Sequence, residues 1–130
     1  MTEIVPPTAD HVRRFFALLE ARDWTALRPL VADDLVYECP QTRERVRGAD
    51  AWIQFCAEFA GDWHLAVDRV VVDAAAAEAA VEILASLDGE PLDNVAWLSF
   101  DDAGRVRRFV DRWPEAYEPP GNRPDVVERY

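Results

Sequence analysis

The last apolar segment of the chain, residues 106–113, carries a carboxylate between two aromatic residues at alternate positions. In an extended strand, Phe109, Asp111 and Trp113 share one face. A carboxylate on an apolar face loses solvation, which raises its pKa and suits it to general acid or base work. In the opposite orientation, the valines of this segment face inward and Asp111 pairs with an arginine at the surface. We take Asp111 as the candidate catalytic residue.

Further side chains could act with this carboxylate or contact a ligand. Tyr37 and Cys39 share the apolar face of residues 35–39, where a tyrosine hydroxyl can donate a hydrogen bond to a ligand or be satisfied at a rim. Cys39 and Cys56 are most simply small buried hydrophobes. The ligand-binding candidates are Phe15, Tyr37, Cys39, Cys56, His64, Asn94, Phe109 and Trp113.

Two of these candidates have ambiguous surroundings. His64 begins a segment whose two alternate faces are both mixed, so periodicity does not decide where its side chain points. A lone histidine is more often structural than functional. Asn94 stands on an otherwise apolar face, where it binds a ligand or is satisfied by backbone.

Several chemistries lack the residues that they need. Neither Ser86 nor Ser99 lies in a nucleophile-elbow context, and no glycine-rich loop follows a strand. The two histidines and two cysteines are not spaced as metal ligands. We therefore predict a site without metal or cofactor.

Length and charge narrow the class of protein. The chain has 130 residues, which predicts one domain, 1–130, ending in a proline-rich tail, 114–130. Its formal net charge is −11, and all 14 basic residues are arginine. This charge disfavours nucleic acids and anionic membranes as partners. No apolar stretch is long enough to span a bilayer and no signal pattern opens the sequence, so we expect a cytoplasmic protein.

The periodicity changes from helical to extended along the chain. Apolar residues at helical spacing predict helices near residues 8–22, 24–31 and 48–60, and alternation predicts strands at 35–39, 44–47, 64–73, 79–87, 92–100 and 106–113. Helices followed by long strands indicate an α+β fold. We expect a cone-shaped, curved antiparallel sheet wrapped around three N-terminal helices, with an internal pocket.

Several stretches together resemble a known family. They are residues 19–35, with Asp23-Trp24 and Asp33-Asp34; Arg47-Gly48 with the helix after it; residues 100–106, with Gly104; and the tail that begins Trp113-Pro114. This order is similar to the SnoaL-like branch of the nuclear-transport-factor-2-like superfamily. The resemblance implies a cone-shaped α+β barrel, usually a dimer, with a pocket for a small, mostly apolar molecule. It does not imply one reaction, because this fold hosts many.

The resemblance also permits a comparison with ketosteroid isomerase. That enzyme's aspartate base falls on Cys39 here, its tyrosine donor on Phe15, and its protonated aspartate on Ala96. Because all three groups are absent, steroid isomerisation by that mechanism is not expected. Relatives in the superfamily place acid and base groups elsewhere, including on the final strands, where Asp111 lies.

Three functions remain open. One is a cofactor-independent cyclase, isomerase, dehydratase or epoxide hydrolase, with Asp111 near a second polar group. Another is a non-catalytic ligand-binding module, with the same pocket but with mutually satisfied polar groups and no perturbed acid. A third is an interaction domain that uses the outer sheet face around Val95 and Trp97, most simply for homodimerisation. We also expect Tyr117 and Tyr130 to anchor the tail on its own or a partner's barrel.

Overall fold

The computed structural model describes residues 3–130, and within them it contains three α-helices and one six-stranded sheet. The helices are α1 (Ala9–Glu20), α2 (Trp24–Leu27) and α3 (Ala49–Ala57), and a 3-10 helix (Arg28–Leu30) follows α2. The strands are β1 (Val31–Cys39), β2 (Glu44–Arg47), β3 (Trp63–Asp73), β4 (Glu78–Leu87), β5 (Glu90–Phe100) and β6 (Val106–Arg112). The predicted α+β class is confirmed.

Local capping sets the start of the first two helices. The Thr8 side chain accepts a hydrogen bond from the N–H of His11, and the Asp23 side chain accepts one from the N–H of Ala26. The second helix is shorter than predicted, and Val31 already belongs to β1. Pro29 has no N–H for an α-helical bond, which favours the 3-10 turn before the strand.

The sheet differs from the predicted all-antiparallel cone in one pairing. The strand order is β2-β1-β6-β5-β4-β3, and β1 runs parallel to β6 while the other neighbours are antiparallel. The sheet is curved but does not close, because β2 and β3 remain its edges. Register shifts in the β1–β6, β3–β4 and β5–β6 pairings increase local twist and bend the sheet over the helices.

An aromatic cluster fills the space between helices and sheet. Phe109 of β6 contacts four other rings, with centroids 5.2–6.2 Å away. Those rings come from α1, β1 and α3: Phe15, Phe16, Tyr37 and Trp52. This cluster ties β6, which carries Asp111, to three other elements.

The outer face of the sheet has a different character. Val71, Leu84 and Trp97 are exposed there on β3, β4 and β5, and the Trp97 indole donates to Glu78. No helix in residues 3–130 is long and apolar enough to cross a membrane.

The tail after β6 forms neither helix nor strand. Gln41 holds its start, since its side chain donates to the carbonyl of Trp113 and accepts from the Trp113 N–H. Tyr117 and Tyr130 are exposed, so neither anchors the tail on its own chain. Packing of these tyrosines on the chain's own barrel is therefore wrong, and packing on a partner's barrel stays a prediction.

Candidate functional site

A cavity of about 280 Å³ lies between the inner face of the sheet, α1 and α3. Eight aromatic side chains contribute to its wall, and the carboxylates among its lining residues belong to Glu44 and Asp111. Its volume is close to the lower end of ligand-binding pockets, about 300 Å³. The space therefore suits a small, mostly apolar molecule.

Asp111 lies on the inner face of β6 and is only 7% exposed. In the β5–β6 pairing it stands opposite Ala96, so the two side chains share the inner face. The small alanine leaves room for the carboxylate beside it. A carboxyl group thus lies next to the position where the isomerase resemblance places its protonated aspartate.

Both neighbouring strands supply a hydrogen-bond donor to this carboxylate. The Tyr37 hydroxyl on β1 donates to Oδ2 of Asp111 over 2.7 Å, and Nδ2 of Asn94 on β5 donates to Oδ1 over 2.6 Å. Asn94 also donates to the backbone carbonyl of Arg112 over 2.9 Å. The three side chains form a buried network that spans three adjacent strands.

The donors in this network are uncharged. Among the described residues, no arginine or histidine forms an ion pair with Asp111. Burial raises the pKa of Asp111, and the hydrogen bonds from Tyr37 and Asn94, followed by the Trp113 side chain, oppose that shift only in part. The same burial, with the nearby charge of Asp111, raises the pKa of Tyr37. Tyr37 therefore remains a neutral hydroxyl donor.

Both predicted cysteines line the cavity as free thiols. Burial, followed by the charge of Asp111, raises the pKa of Cys56 to about 12. A thiol with that pKa is neutral at physiological pH and is a poor nucleophile. Cys56 therefore acts as part of the apolar wall.

His64 lies outside the cavity, contrary to its place among the ligand-binding candidates. Its side chain is 56% exposed, with Nδ1 2.7 Å from Oε1 of Glu20 and Nε2 2.9 Å from Oδ1 of Asp62. The hydrogen bond with Glu20, then the charge of Asp62, raises the pKa of His64. Its neighbours Trp63 and Leu65 point inward instead, as strand alternation requires.

Phe15 is also absent from the cavity wall. It is buried in the core and stacks on Trp52, with ring centroids 5.8 Å apart, while Phe16 lines the cavity. Helical spacing identified both residues as buried. It did not show that Phe15 packs within the core whereas Phe16 lines the cavity.

The other candidates, Tyr37, Cys39, Cys56, Asn94, Phe109 and Trp113, do line the cavity together with Asp111. Their roles toward a ligand stay predictions. Sequence reasoning did not assign Phe55 and Phe59 of the third predicted helix to the site, nor Trp63. Two sequence patterns could have identified them as inward-facing residues: the four-residue spacing of the two phenylalanines, and the position of Trp63 two residues before Leu65 in the strand.

No group of three or more His, Cys, Asp or Glu side chains comes together as metal ligands within residues 3–130. The polar groups that reach the cavity can donate or accept hydrogen bonds. They include Asp111, Asn94 and Tyr37 at the network described above, and Thr42, Glu44 and Ser86 elsewhere on the wall.

Residues 12–109 match the model of a family described as the SnoaL-like domain. Among solved structures, a candidate ketosteroid isomerase from Kribbella flavida is 41% identical, with 93% of this chain and 87% of that chain covered and a TM-score of 0.85. An NTF-2-like protein of unknown function from Burkholderia xenovorans is 21% identical, with 93% of each chain covered and a TM-score of 0.75. An LEH-like epoxide hydrolase of M. tuberculosis is 20% identical, with coverages of 81% and 80% and a TM-score of 0.66. No curated protein matches the chain.

Proposed function

The chain belongs to the family of SnoaL-like domains, and from that premise we propose that it is a cofactor-independent enzyme that moves a proton on a small, mostly apolar molecule. One observation carries the proposal: the buried Asp111 carboxyl faces an apolar cavity with only neutral hydrogen-bond donors around it. Such surroundings raise the proton affinity of a carboxylate toward the range that general acid–base catalysis needs.

The hydrogen bonds leave Asp111 able to reach a ligand. Each carboxylate oxygen has two lone pairs, and Tyr37 and Asn94 each occupy one of them. The remaining lone pairs can accept a proton from a substrate in the cavity. Tyr37 and Asn94 are positioning residues in this scheme, because they hold the carboxylate from both sides.

The resemblance to the candidate ketosteroid isomerase favours an allylic proton shift. In a β,γ-unsaturated ketone, the α C–H bond breaks and its proton moves to Asp111. The electron pair of that bond delocalises onto the carbonyl oxygen, which gives a dienolate. The proton then returns from Asp111 to the γ-carbon, the carbonyl re-forms, and the remaining double bond is conjugated with it. The enzyme ends unchanged, and no oxidant or cofactor takes part. Since Cys39 and Phe15 replace the usual base and tyrosine, Asp111 takes the base role here.

The test uses cyclohex-3-enone as a compact probe and follows the absorbance of the conjugated product. We expect Asp111→Asn to lower kcat/KM by about 100-fold or more, since a positioned acid or base contributes on that scale. Glu44→Gln is the matched control, because it makes the same change in the other lining carboxylate. Equal rates in Asp111→Asn and the parent protein would refute the assignment.

A second candidate function is ligand binding without turnover. It is favoured by the fact that Tyr37 and Asn94 direct their hydrogens at Asp111 rather than into the cavity. Under this alternative the probe ketone binds, as seen by ligand-observed NMR, but the parent protein does not isomerise it.

A further inference from the structure

We propose that the cavity also binds small apolar amines, with the protonated amine against Asp111. The proposal deepens the proposed function, because the amine would compete with a neutral substrate for the same carboxylate. It starts from the charge of the wall: Asp111 and Glu44 are acidic, and no arginine or histidine is found among the lining residues of the described chain. An ammonium group would supply the positive partner that Asp111 lacks.

Arg22, which stacks on a ring of the cavity wall, does not supply the positive charge that Asp111 lacks. The Arg22 guanidinium lies 3.4 Å from the centroid of the Trp63 ring, and it donates to the backbone carbonyls of Glu20 and Trp63. It also forms an ion pair with the Glu20 carboxylate at 3.5 Å. Arg22 is therefore engaged by Glu20 and Trp63, and it forms no ion pair with Asp111.

The aromatic wall strengthens the preference for a cation. Phe55, Phe59 and Trp113 line the cavity, and none of these three rings has the Arg22 guanidinium stacked on it. Aromatic faces attract ammonium groups, by about 0.5–2 kcal/mol for one favourable contact, and the attraction grows when water is excluded. The rest of an apolar amine would pack on the same rings. A cavity with both features suits an amine better than it suits an alcohol of the same shape.

An anion meets the opposite conditions. Inside the cavity, a ligand carboxylate would lose its hydration and approach Asp111, a like charge, with no arginine or lysine to receive it. The net charge of −11 adds long-range repulsion. The same features thus predict an order of binding: amine, then alcohol, then carboxylate.

Three probes of one shape test this order on the full chain: cyclohexylmethylamine, cyclohexylmethanol and cyclohexanecarboxylate. Isothermal titration at pH 7 should show the amine binding about tenfold tighter than the alcohol, which corresponds to about 1.4 kcal/mol. The carboxylate should bind weakest of the three. A carboxylate as tight as the alcohol, or an amine no tighter than the alcohol, would overturn the proposal with the parent protein alone.

Variants then locate the effect. Asp111→Asn should reduce the preference for the amine over the alcohol to about twofold or less, and Asp125→Asn, which makes the same change at an exposed tail position outside the cavity wall, should keep it. An unchanged preference in Asp111→Asn would refute the role of Asp111. Because the readout is binding, failure here is distinct from failure of the proposed reaction. A protein that isomerises the ketone but ignores the amine refutes only this inference, and one that binds the amine without isomerising the ketone refutes only the proposed function.

Discussion

Two carboxylates near the same end of the sheet lie on opposite faces of it, and their pKa values are shifted in opposite directions. Glu38 of β1 pairs with Val110 of β6, the residue before Asp111. On the outer face, Glu38 accepts hydrogen bonds from Arg45 at 2.7 and 3.0 Å and from Arg108 at 2.9 Å. These bonds, from Arg45 first and then Arg108, lower the pKa of Glu38, whereas burial raises the pKa of Asp111.

The number of hydrogen bonds does not explain this difference. Glu38 accepts three and Asp111 accepts two, so both carboxylates are well supplied with donors. What differs is the charge of the donors and access to water. Arginines on the outer face lower the pKa of Glu38, whereas burial among neutral donors on the inner face raises the pKa of Asp111.

Breaking the inner network should have the largest effect on stability. Asn94→Ala removes the amide that donates to both Asp111 and the carbonyl of Arg112. Because one of these acceptors is a buried carboxylate, we expect a loss of about 2–3 kcal/mol at pH 7 in the free energy of urea unfolding. Gln54→Ala, which removes an exposed amide on α3, should stay within about 0.5 kcal/mol of the parent protein. Similar losses for the two variants would show that the inner network carries no special weight.

The apolar part of the outer face should support self-association. We expect the chain to sediment as a homodimer through the outer face, where Val71, Leu84 and Trp97 are exposed, since exposed apolar side chains on one face mark interaction surfaces. Trp97→Glu places a charge in that surface and should weaken dimerisation by about 2 kcal/mol or more.

Analytical ultracentrifugation across a concentration series measures this effect. The matched control is Val126→Glu, which adds the same charge at an exposed tail position outside the sheet. A parent protein that remains at 14.8 kDa at micromolar concentration would contradict the expected dimer.

The two carboxylates should affect stability in opposite directions as pH changes. Asp111 has a raised pKa in the folded protein, so its contribution is full below its ordinary value of 3.8 and declines as pH rises through the folded pKa. Glu38 has a lowered pKa, so its contribution is present above 4.5 and is lost as pH falls through the folded pKa. Urea unfolding midpoints measured from pH 3 to 9 test this. Asp111→Asn should reduce the loss of stability that accompanies rising pH, and Glu38→Gln should reduce the loss that accompanies falling pH. If both variants changed the pH dependence of stability in the same direction, the predicted contrast between the two faces would be wrong.

The smallest effect should come from neutralising the outer carboxylate at pH 7. The arginines that bind Glu38 have side chains 52% and 58% exposed. Exposed ion pairs contribute little to stability, so Glu38→Gln should lower the unfolding free energy by much less than Asn94→Ala does. Added salt should shrink the difference further. A loss larger than that of Asn94→Ala would reverse the ranking of the two faces.

Alternation and helical spacing predicted much of the site. They grouped each of Asp111, Tyr37 and Asn94 with apolar residues at every second position, and for Asp111 they left open which face of the strand points inward. They could not predict that β1 runs parallel to β6, which brings Tyr37 next to Asp111, because that pairing joins segments far apart in the chain. His64 was undecided for a related reason: both faces of its edge strand are mixed, and its partners Glu20 and Asp62 come from outside that strand.

The parallel pairing of β1 with β6 also bears on how the chain reaches its folded state. The two strands that hold Tyr37 and Asp111 are separated by most of the sequence, so their contact requires a long loop to close. During synthesis, β1 can pair only with β2 until the last strand has emerged. Until then β5, with its exposed Trp97, lacks a neighbour on one side, and open strand edges are prone to aggregation. Completion of the cavity and protection of that edge are therefore one late event, and a chain that ends before residue 106 would have neither.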